Sequence, residues 1–353
     1  MITHHRLLLA LVPLGLCVSS AFPQQVATGQ KERFLVIPNI HSQKSQDQIR
    51  GKALIGYHLA LIAPHGDVAL LEHNPAGFGP YAYDFLQCPN LWTKGECDSF
   101  LNRSGASGFR VLPEATDTFV SKKYFPWFPR FVSRFVLEKP PEGGTYSYSL
   151  KDKHVPEGYS PIVLMYASSM MMLSERSSNA NEETGTGSYL TVGPGGSRKL
   201  IKKLNELGAR GYRLVFWSST ARFGGPQYEY AVVHIPAESG TCDYALVSIK
   251  DTAEEIQQHL IDQGAKGFRP LAITPDNIVL ERTVQGRPNS CSLRIVSTDN
   301  HPAFSAEIEK YLVEGYRLSL LVALNVRPSR FISFSYEHMQ FDSSPIVILE
   351  RCD

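Results

Sequence analysis

Two kinds of apolar pattern alternate along this chain. Phe34-Leu35-Val36-Ile37, Tyr244-Ala245-Leu246-Val247 and Leu293 to Val296 are short runs rich in β-branched and aromatic residues, as strands are. Between such runs, apolar residues recur at helical spacing, as at Ala253, Ile256, Leu260 and Ile261, which predicts a helix with one buried stripe. The stretch Leu204-Asn205-Glu206-Leu207-Gly208-Ala209-Arg210-Gly211-Tyr212-Arg213-Leu214-Val215 joins the two patterns. It reads as a helix end, a glycine stop and a strand start. In the copy around Thr252 to Gln263, Asp251 or Thr252 can cap the helix, with Glu254 and Glu255 in its positive first turn. Gly264 is read there as the left-handed residue that ends the helix, and Gly267 as the tight turn into the strand.

This junction recurs. Glycine followed by an aromatic residue occurs at Gly56-Tyr57, Gly108-Phe109, Gly158-Tyr159, Gly211-Tyr212, Gly267-Phe268 and Gly315-Tyr316. Subtracting successive glycine numbers gives spacings of 52, 50, 53, 56 and 48, the signature of tandem supersecondary units. Arginine follows the aromatic in four of them, as Arg110, Arg213, Arg269 and Arg317. Downstream runs close on an acid, at Glu72, Glu138, Glu175, Glu281 and Glu350. One unit reads strand, helix, glycine, strand, strand. The expected fold is α+β, with about six tandem β-α-β-β repeats, antiparallel or mixed sheets, and helices on one face. The third repeat lacks its helix, because too few residues separate Leu150 from Gly158. Neighbouring strands would bring Arg269 and Glu281, or Arg317 and Glu350, opposite each other as cross-strand charge pairs.

The order of a tyrosine-rich strand, a helix ending LNELGAxG(Y/W), and a short strand ending V-L-E-R resembles a small bacterial domain family of unknown function, here in tandem copies. The resemblance is best over Tyr189 to Ile235 and Tyr244 to Arg282, and fair over Leu293 to Arg351. It implies an α+β unit and carries no catalytic residues to transfer.

Length and composition change the picture little. The 353 residues, 43% hydrophobic with a net charge of +1, suit a folded protein of two or three domains. The balanced charge gives no reason to expect nucleic acid as a partner. Residues 1 to 21 read as a secretory signal peptide: His4, His5 and Arg6 precede the apolar run Leu7 to Val18, and Ser19-Ser20-Ala21 offers a cleavage site. No transmembrane segment is expected after it. The protein is thus expected to be exported, to a periplasm or the medium. Export permits disulfides. Cys88 with Cys97 is one available pair, and Cys291 with Cys352 another, with Cys242 to Cys291 as the competing choice. Residues 178–187, rich in Ser, Asn, Glu, Thr and Gly, read as a linker between an N-terminal half at 31–177 and a C-terminal half at 188–353.

Candidate chemistry is sparse. An insertion at 116–134 interleaves Tyr124, Phe125, Trp127 and Phe128 with Lys122, Lys123 and Arg130. Aromatics among cations suit a partner surface, or else cover the bare sheet of the helix-less repeat. Gly195, Gly196, Ser197 and Lys199 make a possible anion loop at a helix start, although the spacing is not that of a phosphate loop. The methionine run 170–172 is read as core filling. His58, His234 and the other scattered histidines are read as surface or satisfied core residues. Neither GxSxG, HExxH nor Cys-x-x-Cys occurs, so no catalytic residue, metal ligand or cofactor is assigned. The leading expectation is an exported non-enzymatic protein that binds an unknown protein or small ligand, or serves as a scaffold. The alternatives are a hydrolase or other enzyme with a site between repeats, or a small-molecule binding protein.

Overall fold

The computed structural model describes residues 32–73, 80–89, 94–121, 130–152, 155–166, 170–178, 189–221, 227–234, 240–274, 276–284, 290–298, 303–324 and 345–352. These fall in one unit, residues 32–353, and the expected signal peptide lies outside them. Ser178 apart, the linker lies outside them too.

Sheet A holds β1 (Phe34–Pro38), β2 (Tyr57–Ile62) and β3 (Val68–His73), with helix α1 (Gln43–Ala53) between β1 and β2. Its closing strand lies in the middle, in the order β1-β3-β2, antiparallel to both neighbours. Four further sheets repeat that order. Sheet C holds β8 (Tyr146–Asp152), β9 (Ser160–Tyr166) and β10 (Met170–Ser177). Sheet D holds β11 (Tyr189–Gly195), β12 (Arg213–Ala221) and β13 (Gln227–His234), with helix α3 (Ser197–Gly208). Sheet E holds β14 (Cys242–Ser248), β15 (Arg269–Ile273) and β16 (Asn277–Thr283), with helix α4 (Ala253–Gly264). Sheet F holds β17 (Cys291–Ser297), β18 (Arg317–Val322) and β19 (Ile346–Cys352), with helix α5 (Ala303–Val313). As the spacing predicts, no helix stands between β8 and β9 among the described residues.

Sheet B departs from the plan. Helix α2 (Lys94–Ala106) separates β4 (Ala82–Pro89) from β5 (Arg110–Val111), and the closing strand β7 (Arg130–Lys139) is longer than its counterparts. An extra strand, β6 (Asp117–Ser121), pairs with the first half of β7. The 116–134 insertion is therefore not a free loop over its whole length, because both of its ends belong to the sheet. Its centre, residues 122–129, lies outside the described residues.

Helix stripes form as the pattern predicts. Leu200, Leu204 and Leu207 bury one face of α3, while Lys202, Lys203 and Glu206 face outward. Helix α4 opens on a capping box, with the Thr252 hydroxyl on the Glu255 amide and the Glu255 carboxylate on the Thr252 amide. Its stripe is narrower than expected, since Ile261 is exposed beside the shallow pocket at Cys291.

No sheet has a core of its own. Ile49 and Leu71 of sheet A pack with Tyr83 and Val136 of sheet B. Leu101 and Phe135 of sheet B pack with Tyr148 and Leu173 of sheet C. Strand β9 of sheet C lies against β12 of sheet D. Leu204 and Leu214 of sheet D share a core with Tyr244 and Val279 of sheet E. Ile256 and Leu280 of sheet E meet Leu293 and Ile348 of sheet F. Phe304 and Leu349 of sheet F meet Phe34 and Leu70 of sheet A. The order of neighbours closes on itself, so the sheets form a ring. Second strands of adjacent sheets approach one another within it, as β2 with β18, β18 with β15, β15 with β12, and β12 with β9. A single three-stranded unit of about 50 residues buries too small a core to be very stable alone. Here neighbouring sheets cover one another, helped by the preceding helix except at sheet D, which follows the helix-less repeat.

Candidate functional site

The ionisable side chains that the repeat brings together sit at the seams between sheets. In five of the six closing strands an acid lies opposite one residue of the first strand. These pairs are Phe34 with Glu72, Tyr83 with Glu138, Tyr148 with Glu175, Tyr244 with Glu281, and Leu293 with Glu350. In sheet D the place of the acid is taken by His234, opposite Tyr189. The second strand offers His58, Arg110, Arg269 and Arg317 at the matching register.

Arg269 and Glu281 do face each other in the backbone register, but they are not an ion pair. The Arg269 guanidinium crosses the seam to Glu350 of sheet F at 3.0 Å. Arg110 likewise reaches Glu175 of sheet C at 3.0 Å, and Arg213 reaches Glu281 of sheet E. Arg317 pairs within its own sheet, with Glu350 at 2.6 Å, as expected. The second strand lies next to the neighbouring sheet, and an arginine side chain is long enough to bridge from it. Glu175, Glu281 and Glu350 are buried, while the arginines over them are about half exposed. That exposure keeps each pair near about 1 kcal/mol rather than the several of a fully buried pair.

Tyrosines join three of the seams, while at the E–F seam Leu293 stands in the tyrosine's place. The Tyr244 hydroxyl accepts from the Leu214 amide at 2.8 Å and donates to Glu281 at 2.9 Å. The Tyr83 hydroxyl accepts from the Leu59 amide at 2.9 Å and donates to Glu138 at 2.7 Å. Tyr148 accepts from the Val111 amide at 2.9 Å. Leu59 and Leu214 adjoin β-bulges, where the ladder shifts register and backbone groups need other partners. Burial pushes the Tyr83, Tyr148 and Tyr244 hydroxyls well above the ordinary tyrosine range, so all three stay protonated as donors. Burial also raises the Glu138 and Glu350 carboxyls, with Arg317 opposing the effect at Glu350.

A third device covers the free edge of three first strands, β14, β8 and β17. The Asn205 amide of α3 exchanges two hydrogen bonds with the Tyr244 backbone, at 3.1 and 2.6 Å. Asn102 of α2 does the same for Tyr148, at 2.9 and 2.8 Å. Gln257 of α4 spans Leu293 and Ile295, at 2.9 and 2.7 Å. These amides satisfy edge groups that would otherwise template another strand. The helices come this close because of their glycines. A Cβ at Gly105, Gly208 or Gly264 would collide with the carbonyl of Tyr146, Cys242 or Cys291 in the next sheet. Gly264 is thus a close-approach residue inside α4, not the left-handed stop expected of it. Gly267 takes that conformation, with φ 83°.

Comparison with protein-family models, with curated proteins and with solved structures returned no match.

The residues singled out from the sequence are placed as follows. Cys88 and Cys97 form a disulfide, with Cα atoms 5.7 Å apart. Cys291 and Cys352 form another, at 4.1 Å, so Cys242 is left as a buried free thiol. Gly195 ends β11, Gly196 caps α3 without a side-chain bond, and Ser197 and Lys199 open that helix. Lys122, Lys123, Tyr124, Phe125, Trp127 and Phe128 lie outside the described residues. Arg130 opens β7, and its side chain is also outside them. Among the described residues no three metal-ligating side chains converge, and no helix is long and apolar enough to cross a membrane. Sequence reasoning missed the tyrosines and the helix amides of the seams. Aligning the repeats on their glycines would have exposed both, since Asn102 and Asn205 each stand three residues before the colliding glycine.

Proposed function

We propose that the chain is an exported, non-enzymatic binding or scaffold protein. In this reading it is six copies of one β-α-β-β unit, akin to the small bacterial domain family, with the third copy lacking its helix. The observation that carries the reading is the use made of the acids, tyrosines and arginines. The acids recur at one register position in five of the six closing strands, and with the tyrosines and arginines they tie sheet A to B, B to C, D to E and E to F. A catalytic constellation is built once, from groups whose environments push their pKa values apart for different roles. The two disulfides support export, since such bonds persist in oxidising compartments. The partner surface is assigned to the connection between β6 and β7, with its lysines and aromatics.

The test is native mass spectrometry of the protein recovered from its own periplasm or medium. It is compared with a variant in which residues 122–129 become a Gly/Ser linker of equal length. Removing all of 116–134 would be a poor test, because it deletes β6 and half of the central strand β7. A stoichiometric protein adduct on the wild type, lost in the variant, supports the proposal. A small-molecule adduct that persists in the variant speaks for the enzyme or ligand-carrier alternative.

A further inference from the structure

Two adjacent seams carry the same three residues with different outcomes. Tyr146-Ser147-Tyr148 with Glu175 at the B–C seam matches Tyr81-Ala82-Tyr83 with Glu138 at the A–B seam. At the B–C seam these residues hold a guanidinium. Arg110 of sheet B lies over the Tyr146 ring at 6.0 Å and donates to Glu175 at 3.0 Å.

At the A–B seam the second-strand position belongs to His58. Its ring stacks on Tyr81, with centroids 5.1 Å apart and planes at 22°. The imidazole is too short to bridge, and its Nε2 lies 3.9 Å from Glu72 of its own sheet, which already receives Arg33 at 2.7 Å. Among the described residues the only hydrogen bond to Glu138 comes from the Tyr83 hydroxyl, and the Arg110 charge acts on it without an ion pair. Its strand neighbour Arg110 has turned to Glu175, and Lys139 lies over the Phe109 ring. Arg130 stands eight residues back along the same strand, a distance of about 27 Å. The His58 Nδ1 is buried and has no hydrogen-bond partner among the described residues. Burial lowers the imidazole's proton affinity against the opposing pull of Glu72, so the ring adds no lasting positive charge to the seam. Glu142 adds a second negative charge acting on Glu138 and Tyr81.

We infer that the A–B seam is a binding site for an external guanidinium or primary ammonium group, seated on Glu138 against the Tyr81–His58 ring pair. The same tyrosine, tyrosine and glutamate set holds such a group from within the chain one seam away. Aromatic faces and a carboxylate together favour the planar guanidinium over the ammonium. The group comes either from a free small amine or from a basic side chain of a partner polypeptide. The inference does not rest on what the β6–β7 connection binds.

The test is calorimetric titration of the full mature chain with three probes. These are agmatine, the capped tripeptide Ac-Gly-Arg-Gly-amide, and its citrulline analogue as the uncharged control. One-to-one binding of agmatine or the arginine peptide, without binding of the citrulline peptide, is expected. Agmatine equal to or tighter than the peptide assigns a free amine, and a peptide at least tenfold tighter assigns a partner's side chain. His58→Arg should supply an internal guanidinium to Glu138, as Arg110 does to Glu175, and weaken binding at least tenfold. Glu138→Gln should weaken it similarly. Should Glu138→Gln not fold, His58→Arg decides alone, since it adds a bridge and should raise the urea midpoint. Absence of binding up to about 10 mM probe, well past the millimolar range of a single weak contact, would overturn the inference. So would binding of equal strength in wild type and His58→Arg.

Discussion

Gly208→Ala separates two opposing effects by sign. Gly208 is the last residue of α3 and is buried. Helix propensity alone makes alanine the better residue there by about 1 kcal/mol. The packing says otherwise. An added Cβ would fall inside hard contact with the Cys242 carbonyl oxygen and crowd its carbon and the Tyr244 ring. The obstacle is backbone of β14, paired along its length with β16, so it cannot rotate away as a side chain would. Overpacking of this kind costs about 1–3 kcal/mol. Backing the helix off also stretches the two Asn205–Tyr244 bonds, each contributing about 1 kcal/mol. The net expectation is a loss of about 2 kcal/mol, read as a lower urea midpoint of the full chain at unchanged slope. Gly51→Ala is the matched control. Gly51 lies in α1 with no atom within 4 Å of the added Cβ, so propensity acts alone and the midpoint should rise by up to about 1 kcal/mol. If Gly208→Ala raises the midpoint as Gly51→Ala does, the helix does not depend on glycine for its approach, and the seam argument fails.

Other expectations follow from the same contacts. Tyr244→Phe removes the hydroxyl shared by the Leu214 amide and Glu281 and should cost about 1–3 kcal/mol, measurable as faster amide exchange at Leu214. Glu138→Gln should behave oppositely at neutral pH. Burial raises that carboxyl, so the folded state holds its proton more tightly than the unfolded one. The ionised form is therefore a penalty at pH 7 that fades as pH falls towards about 4.3. The variant's urea midpoint should exceed wild type at pH 7, and the gap should close by pH 4; a gap that widens on acidification refutes the assignment. Cys352→Ser opens a bridge spanning 61 residues and Cys97→Ser one spanning 9. Chain entropy puts these at about 4 and about 2.5 kcal/mol, so the larger drop in melting temperature should belong to Cys352→Ser.

Local features were legible in the sequence because local chemistry sets them. The stripe with Ile256 and Leu260 marks α4, the glycine at Gly267 marks the tight turn into the strand, and the closing strand beside the first one makes Cys291–Cys352 one of the two bridges open to Cys291. What the sequence concealed was direction across seams. Arg269 stands opposite Glu281 in the strand register, and nothing in a linear pattern says that its side chain leaves for Glu350. Gly264 reads from the sequence as a left-handed stop and is not one, since a glycine at a helix end serves a left-handed turn or a close contact equally well. Only the position of Cys291 in the next sheet decides between them. His58 hid for the same reason: its meaning lies in the arginine it replaces, and that arginine is visible only once Tyr81 and Tyr146 are superposed by register.

The closed order of the sheets also bears on how such a chain can be cut and copied. An open stack has two terminal members, each needing a polar outer face. Here the first and last sheets are neighbours: Phe34 and Phe304 share a core, and the Phe34 amide donates to the Ser305 hydroxyl. The starting point of the polypeptide is then arbitrary with respect to packing. A circular permutant opened between β10 and β11, with the present ends tethered, would keep the F–A seam and the disulfides intact. Excising or duplicating a single sheet would instead leave two apolar faces unmatched and change the curvature that lets the ends meet. Such a molecule tolerates a moved origin far better than a changed copy number.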